Sequence, residues 1–156
     1  MASLARACPP RLAADPVHRL EHRRSHPSMA EELYMSRPED IHSQFVTAFN
    51  SGNLDAIMAL YEPEASLVPQ PGQVVQGHAA IRQALVQFMA LKGTMQVKSI
   101  FTVHGPGVAL MRGQWKLTGI GPDRKPIEMT AQSVEVVRQQ PNGEWLLVVD
   151  HPFGAD

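Results

Sequence analysis

The sequence predicts an α+β domain: three N-terminal helices packed on a strongly curved antiparallel sheet. Three observations carry this. The chain has 156 residues, 44% of them hydrophobic, which is one domain's worth of chain with enough apolar side chains for a core. Apolar residues recur at three and four in the first half of the domain and at two in the second. The strand-like segments are joined by short Gly, Pro and Asn turns, so consecutive strands are expected to pair antiparallel, with the helices covering one face.

The elements follow in order. Ser36-Arg37-Pro38-Glu39 has the form of a capping box with proline in the first turn, and predicts a helix start. Ile41, Phe45, Val46, Ala48 and Phe49 continue it, and Ser51-Gly52-Asn53 stops it with a glycine suited to a C-cap. Asn53 caps a second helix with Leu54, Ile57, Met58 and Tyr61 on one face, ended by Pro63 near residue 62. Ala65 to Val68 reads as a short strand, Pro69-Gln70-Pro71-Gly72 as a turn, and Val74-Val75 as a second short strand. Gly77-His78 opens a third helix through Ile81, Ala84, Leu85, Phe88 and Met89, and Gly93 closes it. Strands are expected near 95–104, 107–118, 126–138 and 144–150, with turns at His104 to Gly107, Gly119 to Asp123 and Pro141-Asn142-Gly143.

Residues 1–35 read as a leader and 36–153 as the domain. Residues 1–28 of it hold Arg6, Arg11, Arg19, Arg23 and Arg24 against Asp15 and Glu21, carry Pro9, Pro10, Pro16 and Pro27, and lack a lasting apolar period. Met29 and Met35 are candidate starts of the functional protein. His18, His22 and His26 are spaced for one helical face, but the neighbouring arginines repel a divalent cation, so no metal is expected. Cys8, the one cysteine, allows no internal disulfide and no thiolate zinc site. A formal charge of -1 argues against nucleic acid or an anionic membrane as partner. No apolar run approaches the roughly 18 residues of a membrane span, and no secretory signal stands out, so a cytoplasmic protein is expected. Dinucleotide, phosphate-loop and serine-elbow motifs are absent, and no cofactor is expected.

The stretch Phe45 to Tyr61, with its N-x-G-x-L-D-x-I-x-x-L-Y phrase, then Glu64-Ala65-Ser66-Leu67, Gly77-His78-Ala79-Ala80-Ile81-Arg82 and Gly143 to Pro152, resembles the nuclear transport factor 2-like superfamily, in its ketosteroid isomerase-like and SnoaL-like branch. The resemblance spans about residues 37 to 153. It implies a cone of three helices on a bent sheet, an apolar cavity and a homodimer paired through sheet faces, in a group that hosts isomerases, cyclases, dehydratases and non-catalytic modules. It also implies that the ketosteroid isomerase catalytic set is missing. Phe45 stands at the tyrosine position, Gln132 at the oxyanion aspartic acid position, and Pro69 or Gln70 at the base position. Phe45 donates no hydrogen bond, and neither Pro69 nor Gln70 takes a proton near neutrality.

Matched to that fold, Met111, Gly113 and Trp115 are expected to face inward with Gln132, alongside Phe45, Met58, Tyr61, Leu85, Thr130 and Val134. This is a mostly apolar lining for a small apolar or amphipathic molecule. Asp150 and His151 are an adjacent acid and imidazole whose side chains leave a strand on opposite faces, so either one alone is the candidate base. Gln132 is the candidate oxygen-polarising donor and Trp115 the platform. His42 and His78 are expected at exposed or capping positions, and Arg112 on the opposite sheet face. Two readings follow: proton-transfer chemistry of isomerase, cyclase or dehydratase type without a cofactor, or a non-catalytic ligand-binding or association module acting as a homodimer.

Overall fold

The computed structural model describes residues 36–121 and 123–154. The expected leader, with Cys8, the histidine run, Met29 and Met35, lies outside the described residues. Helix α1 spans Asp40–Asn50 and starts differently from the predicted box. Glu39 makes no side-chain cap bond. Instead Asp40 Oδ2 accepts from the Arg37 backbone N–H at 2.9 Å, and Ser36 Oγ donates to the Gly143 carbonyl at 3.2 Å. An acid in the first turn also faces the positive end of the helix.

Asn53 caps α2, Leu54–Met58, its Oδ1 accepting from Ala56 N at 3.0 Å. This helix stops earlier than expected because Tyr61 already belongs to a strand, β1, Tyr61–Gln70. Pro63 biases the preceding residue to extended backbone, and the Leu147 N–H donates to the Leu60 carbonyl at 2.7 Å. Proline is tolerated there because β2, Gln73–Gln76, pairs with β1 only from Ser66 onward, leaving Pro63 on a free edge. Helix α3 covers His78–Met89. Beyond it Lys92, with φ 47°, adopts the left-handed conformation. Gly93 serves close approach instead: a Cβ there would lie 2.6 Å from Leu117 Cδ1 and 2.9 Å from the Thr118 carbonyl oxygen.

Strands β3 Thr94–Gly105, β4 Val108–Ile120, β5 Pro126–Gln139 and β6 Trp145–His151 fall close to the predicted segments. They form a curved, unclosed sheet in the order β2-β1-β6-β5-β4-β3. The consecutive pairs are antiparallel as expected, but β1 and β6 pair in parallel. Hairpin reasoning covers only neighbours in sequence and does not reach a contact between the first and last strands. Register shifts at Ile100 in β3 and Val148 in β6 add an unpaired residue to each strand and help bend the sheet.

The helices cover one face of the sheet, where Ile57, Tyr61, Ile81, Met111, Leu117, Val137 and Leu147 are fully buried. On the other face Val103, Leu110, Val136 and Val149 are register partners across four strands. Among them Val103, Leu110 and Val149 stay exposed. No helix among the described residues is long and apolar enough to cross a membrane.

Gly93→Ala forces a methyl group against Leu117 and a backbone carbonyl, so a loss of ~1–3 kcal/mol is expected in urea unfolding. Unchanged stability would show that the end of β4 at Leu117 and Thr118 yields freely.

Candidate functional site

Between helices and sheet lies a cavity of about 100 Å³. Its apolar wall includes Ile41 and Phe45 from α1, Leu85 and Phe88 from α3, Trp115 from β4 and Phe153 beyond β6. The rings run edge to face: Phe88 to Trp115 with centroids 6.1 Å apart, and Trp115 to Phe153 at 5.7 Å. Trp115 Nε1–H donates to the Pro152 carbonyl at 2.7 Å, which ties the end of β6 over this wall.

Strand pairing decides which polar groups join that wall. In β4 the inward side carries Met111, Gly113, Trp115 and Leu117, buried as alternation requires. Their partners in β5 are Glu135, Ser133, Ala131 and Met129. Directly paired residues share a face, so Gln132, Thr130 and Val134 point the other way. The expected inward placement of Gln132 and Thr130 is therefore corrected by one residue, which moves the whole set across the sheet. Gln132 accepts a hydrogen bond from Arg112 Nη2 on the outer face, and Thr130 is exposed there.

The β6 bulge settles the adjacent acid and imidazole. Leu147 faces inward opposite Val137, and the extra residue at Val148 shifts the phase so that Asp150, opposite Glu135, also faces inward. His151 pairs with Val134 on the outer face and is only partly buried.

Five elements, α1, β1, β3, β5 and β6, thus bring polar groups together beside an apolar wall. His42 of α1 is buried, contrary to the expected exposed or capping position. It lies three and seven residues before Phe45 and Phe49, on the apolar stripe of its helix. Its Nδ1 is 2.7 Å from Ser99 Oγ and its Nε2 is 3.2 Å from Glu135 Oε2. Gly113 makes room for the ring, since a Cβ there would lie 3.0 Å from His42 Cε1 and 2.9 Å from Ser133 Oγ. The Tyr61 hydroxyl donates to Asp150 Oδ2. Burial first, then the neighbouring Glu135 charge, push the Asp150 carboxyl up to about 7, with the Tyr61 hydrogen bond and His42 opposing. Burial and the adjoining Asp150 carry the Tyr61 phenol well above its ordinary range.

Of the residues singled out in the sequence, Phe45, Pro69, Leu85, Trp115 and Asp150 meet at the cavity. Met58 and Met111 are buried in the core without lining it, and Tyr61 stands behind Asp150. His42 was expected at an exposed or capping position, and Ser99, Ser133 and Glu135 were not singled out. The available signals were the helical spacing of His42 and the pairing of Glu135 with inward Met111.

The SnoaL-like domain matches residues 42–146 of this chain. Among solved structures the chain is similar to a candidate dehydratase of the NTF2-like family from Streptomyces avermitilis, at 18% identity and TM-score 0.61, covering 72% of this chain and 90% of that one. A ketosteroid isomerase-like protein from Erwinia carotovora atroseptica is similar at 19% identity and TM-score 0.61, covering 72% and 89%. A candidate calcium/calmodulin-dependent protein kinase type II association domain from Thiobacillus denitrificans follows at 21% and 0.62, covering 75% and 94%. These likenesses show a shared fold. Curated protein sequences give no match.

An unfolded aspartate loses its proton near ~4, whereas Asp150 holds its proton to about 7 in the fold. Its contribution to stability is complete below the unfolded value and lost as pH rises through the folded one. Measured by urea unfolding, wild type is expected to lose about 2 kcal/mol relative to Asp150→Asn between pH 5 and pH 8. A difference that stays constant over this range would refute the raised carboxyl.

Proposed function

The chain belongs to the SnoaL-like domain family, and on that premise we propose that it holds a small, largely apolar molecule in the cavity and moves a proton on it. The observation that carries this reading is the pairing of Asp150 with Glu135, beside His42 and Tyr61, inside an otherwise apolar enclosure. A carboxyl poised near neutrality is matched to general acid–base work, because both protonation states are accessible at working pH. Asp150 takes or returns the proton, Tyr61 orients it, and His42 polarises an oxygen of the bound molecule. Trp115 forms the platform. The reaction class is isomerase or lyase without a cofactor, in line with the descriptions of the Streptomyces and Erwinia proteins.

A specific feature favours assembly as well. The apolar row Val103, Leu110, Val136 and Val149 crosses four strands of the outer face, and its exposed members gain by burial against a second copy. A homodimer is proposed through this face, and the Thiobacillus structure carries an association-domain description on the same fold. If association were the sole function, the buried polar cluster would have no part in it.

Deuterium uptake from heavy water into a panel of small cyclic ketones and hydroxyketones, followed by proton NMR, tests the chemistry. Wild type is expected to accelerate uptake for at least one member, with Asp150→Asn and His42→Ala each lowering the rate by roughly 100-fold or more. Undiminished uptake in both variants would overturn the assignment of roles. Native mass spectrometry of the full chain should give a dimer mass that Leu110→Lys converts to a monomer; a monomeric wild type removes the assembly proposal.

A further inference from the structure

Asp150 is buried behind a wall that includes Phe45, Phe88, Trp115 and Phe153, and side chains of that kind do not carry protons. An acid that works by gaining and losing a proton needs another route to water. The structure offers one at the back of the site, toward the free edge of the sheet.

Strand β3 forms that edge, and Ser99 on it is exposed. The Ser99 hydroxyl lies 2.7 Å from Nδ1 of the buried His42. On the far side of the same ring, Nε2 is 3.2 Å from Glu135 Oε2, at the outer limit of an N–H···O bond. Neither of these two atoms has another partner among the described residues. A Cβ on Gly113 would stand 3.0 Å from His42 Cε1 and 3.3 Å from Nε2, so the glycine leaves the ring room to turn into line. Glu135 is in turn the direct strand partner of Asp150, and its charge is felt there. A surface hydroxyl, an imidazole and two carboxyl groups therefore stand in sequence from solvent to site.

Each member has the chemistry a relay requires. A hydroxyl both donates and accepts, and a neutral imidazole donates from one nitrogen while accepting at the other. With the Glu135 carboxylate beside Nε2, the favourable arrangement places the ring proton on that nitrogen, and Ser99 donates to Nδ1. Resting on the proton-transfer reading above, we infer that Ser99, His42 and Glu135 form a proton path between bulk water and Asp150, with Ser99 as its outer end.

In the inward step a hydronium ion gives a proton to the Ser99 oxygen as the Ser99 proton passes to Nδ1 and the Nε2 proton passes to the Glu135 carboxylate. One hydronium is consumed and one water released, and the imidazole is left in its Nδ1–H form beside a neutral Glu135. Glu135 then hands its proton to the Asp150 carboxylate and is ionised again. The reverse sequence returns a proton to water and restores the Nε2–H form.

Carbon-13 relaxation dispersion of the Asp150 carboxyl near pH 7, in the full chain with nothing added, reads the rate at which this group exchanges its proton. The signal is identified by its loss in Asp150→Asn. Ser99→Val and Ser99→Thr have nearly the same shape and differ in the hydroxyl, and β-branched residues suit an exposed strand position. Ser99→Val should slow the exchange by roughly tenfold or more, while Ser99→Thr stays within about threefold of wild type. Equal rates in all three chains overturn the path, since protons then reach Asp150 through the cavity mouth. Equal slowing in both variants also overturns it, because packing at β3 and not the hydroxyl would be the cause. The readout needs no turnover, so a chain that fails to catalyse deuterium uptake can still show the path. A carboxyl that does not titrate near neutrality overturns the path and the proton-transfer reading together.

Discussion

Two carboxyl groups set side by side out of water impose the constraint on which this site depends. Asp150 and Glu135 are direct partners across β6 and β5, both facing the helices and both buried. Neighbouring carboxylates in such a medium repel, and full ionisation of both is unfavourable. The surrounding residues answer that constraint. Tyr61 offers Asp150 a hydroxyl, His42 stands against Glu135, and Gly113 lacks the Cβ that would push the imidazole away. The polar cluster therefore draws on β1, α1 and β3 as well as on the two strands that carry the acids, with β4 leaving room for it at Gly113.

The two faces of one sheet divide two kinds of work. Strand alternation sends Glu135 inward and Val136 outward, and Asp150 inward with Val149 outward. Strands β3, β4, β5 and β6, which line the cavity, therefore each also supply a residue to the apolar row on the opposite side. Changes in sheet curvature reach both faces at once. The Trp115 bond to Pro152 adds a third link, because it joins the cavity wall to the chain leaving β6.

Much of the fold was legible because its signals are local. Helical spacing marked α1 and α3, the Asn53 cap formed as read, and glycine turns delimited the last four strands. The site was less legible because it depends on phase between strands. Gln132 and Ser133 differ by one position, and only the pairing of Gly113 with Ser133 says which of them shares a face with Trp115. His42 was available in principle from its spacing to Phe45 and Phe49, but a histidine at a helix start reads equally as a surface group. The parallel contact of β1 with β6 and the unpaired residue at Val148 have no local signature at all.

That unpaired residue has a consequence for how such proteins diverge. Between Leu147 and Asp150 the spacing is odd, and only the bulge lets both face the helices. In a regular strand of the same sequence, Val149 and His151 would take the inward places and the acid would turn outward. Gain or loss of one bulge is thus an evolutionary step that exchanges a carboxylic acid for an imidazole without altering either codon. Lineages built on this scaffold have a route to new chemistry through strand phase, one that a comparison of aligned residues alone would not reveal.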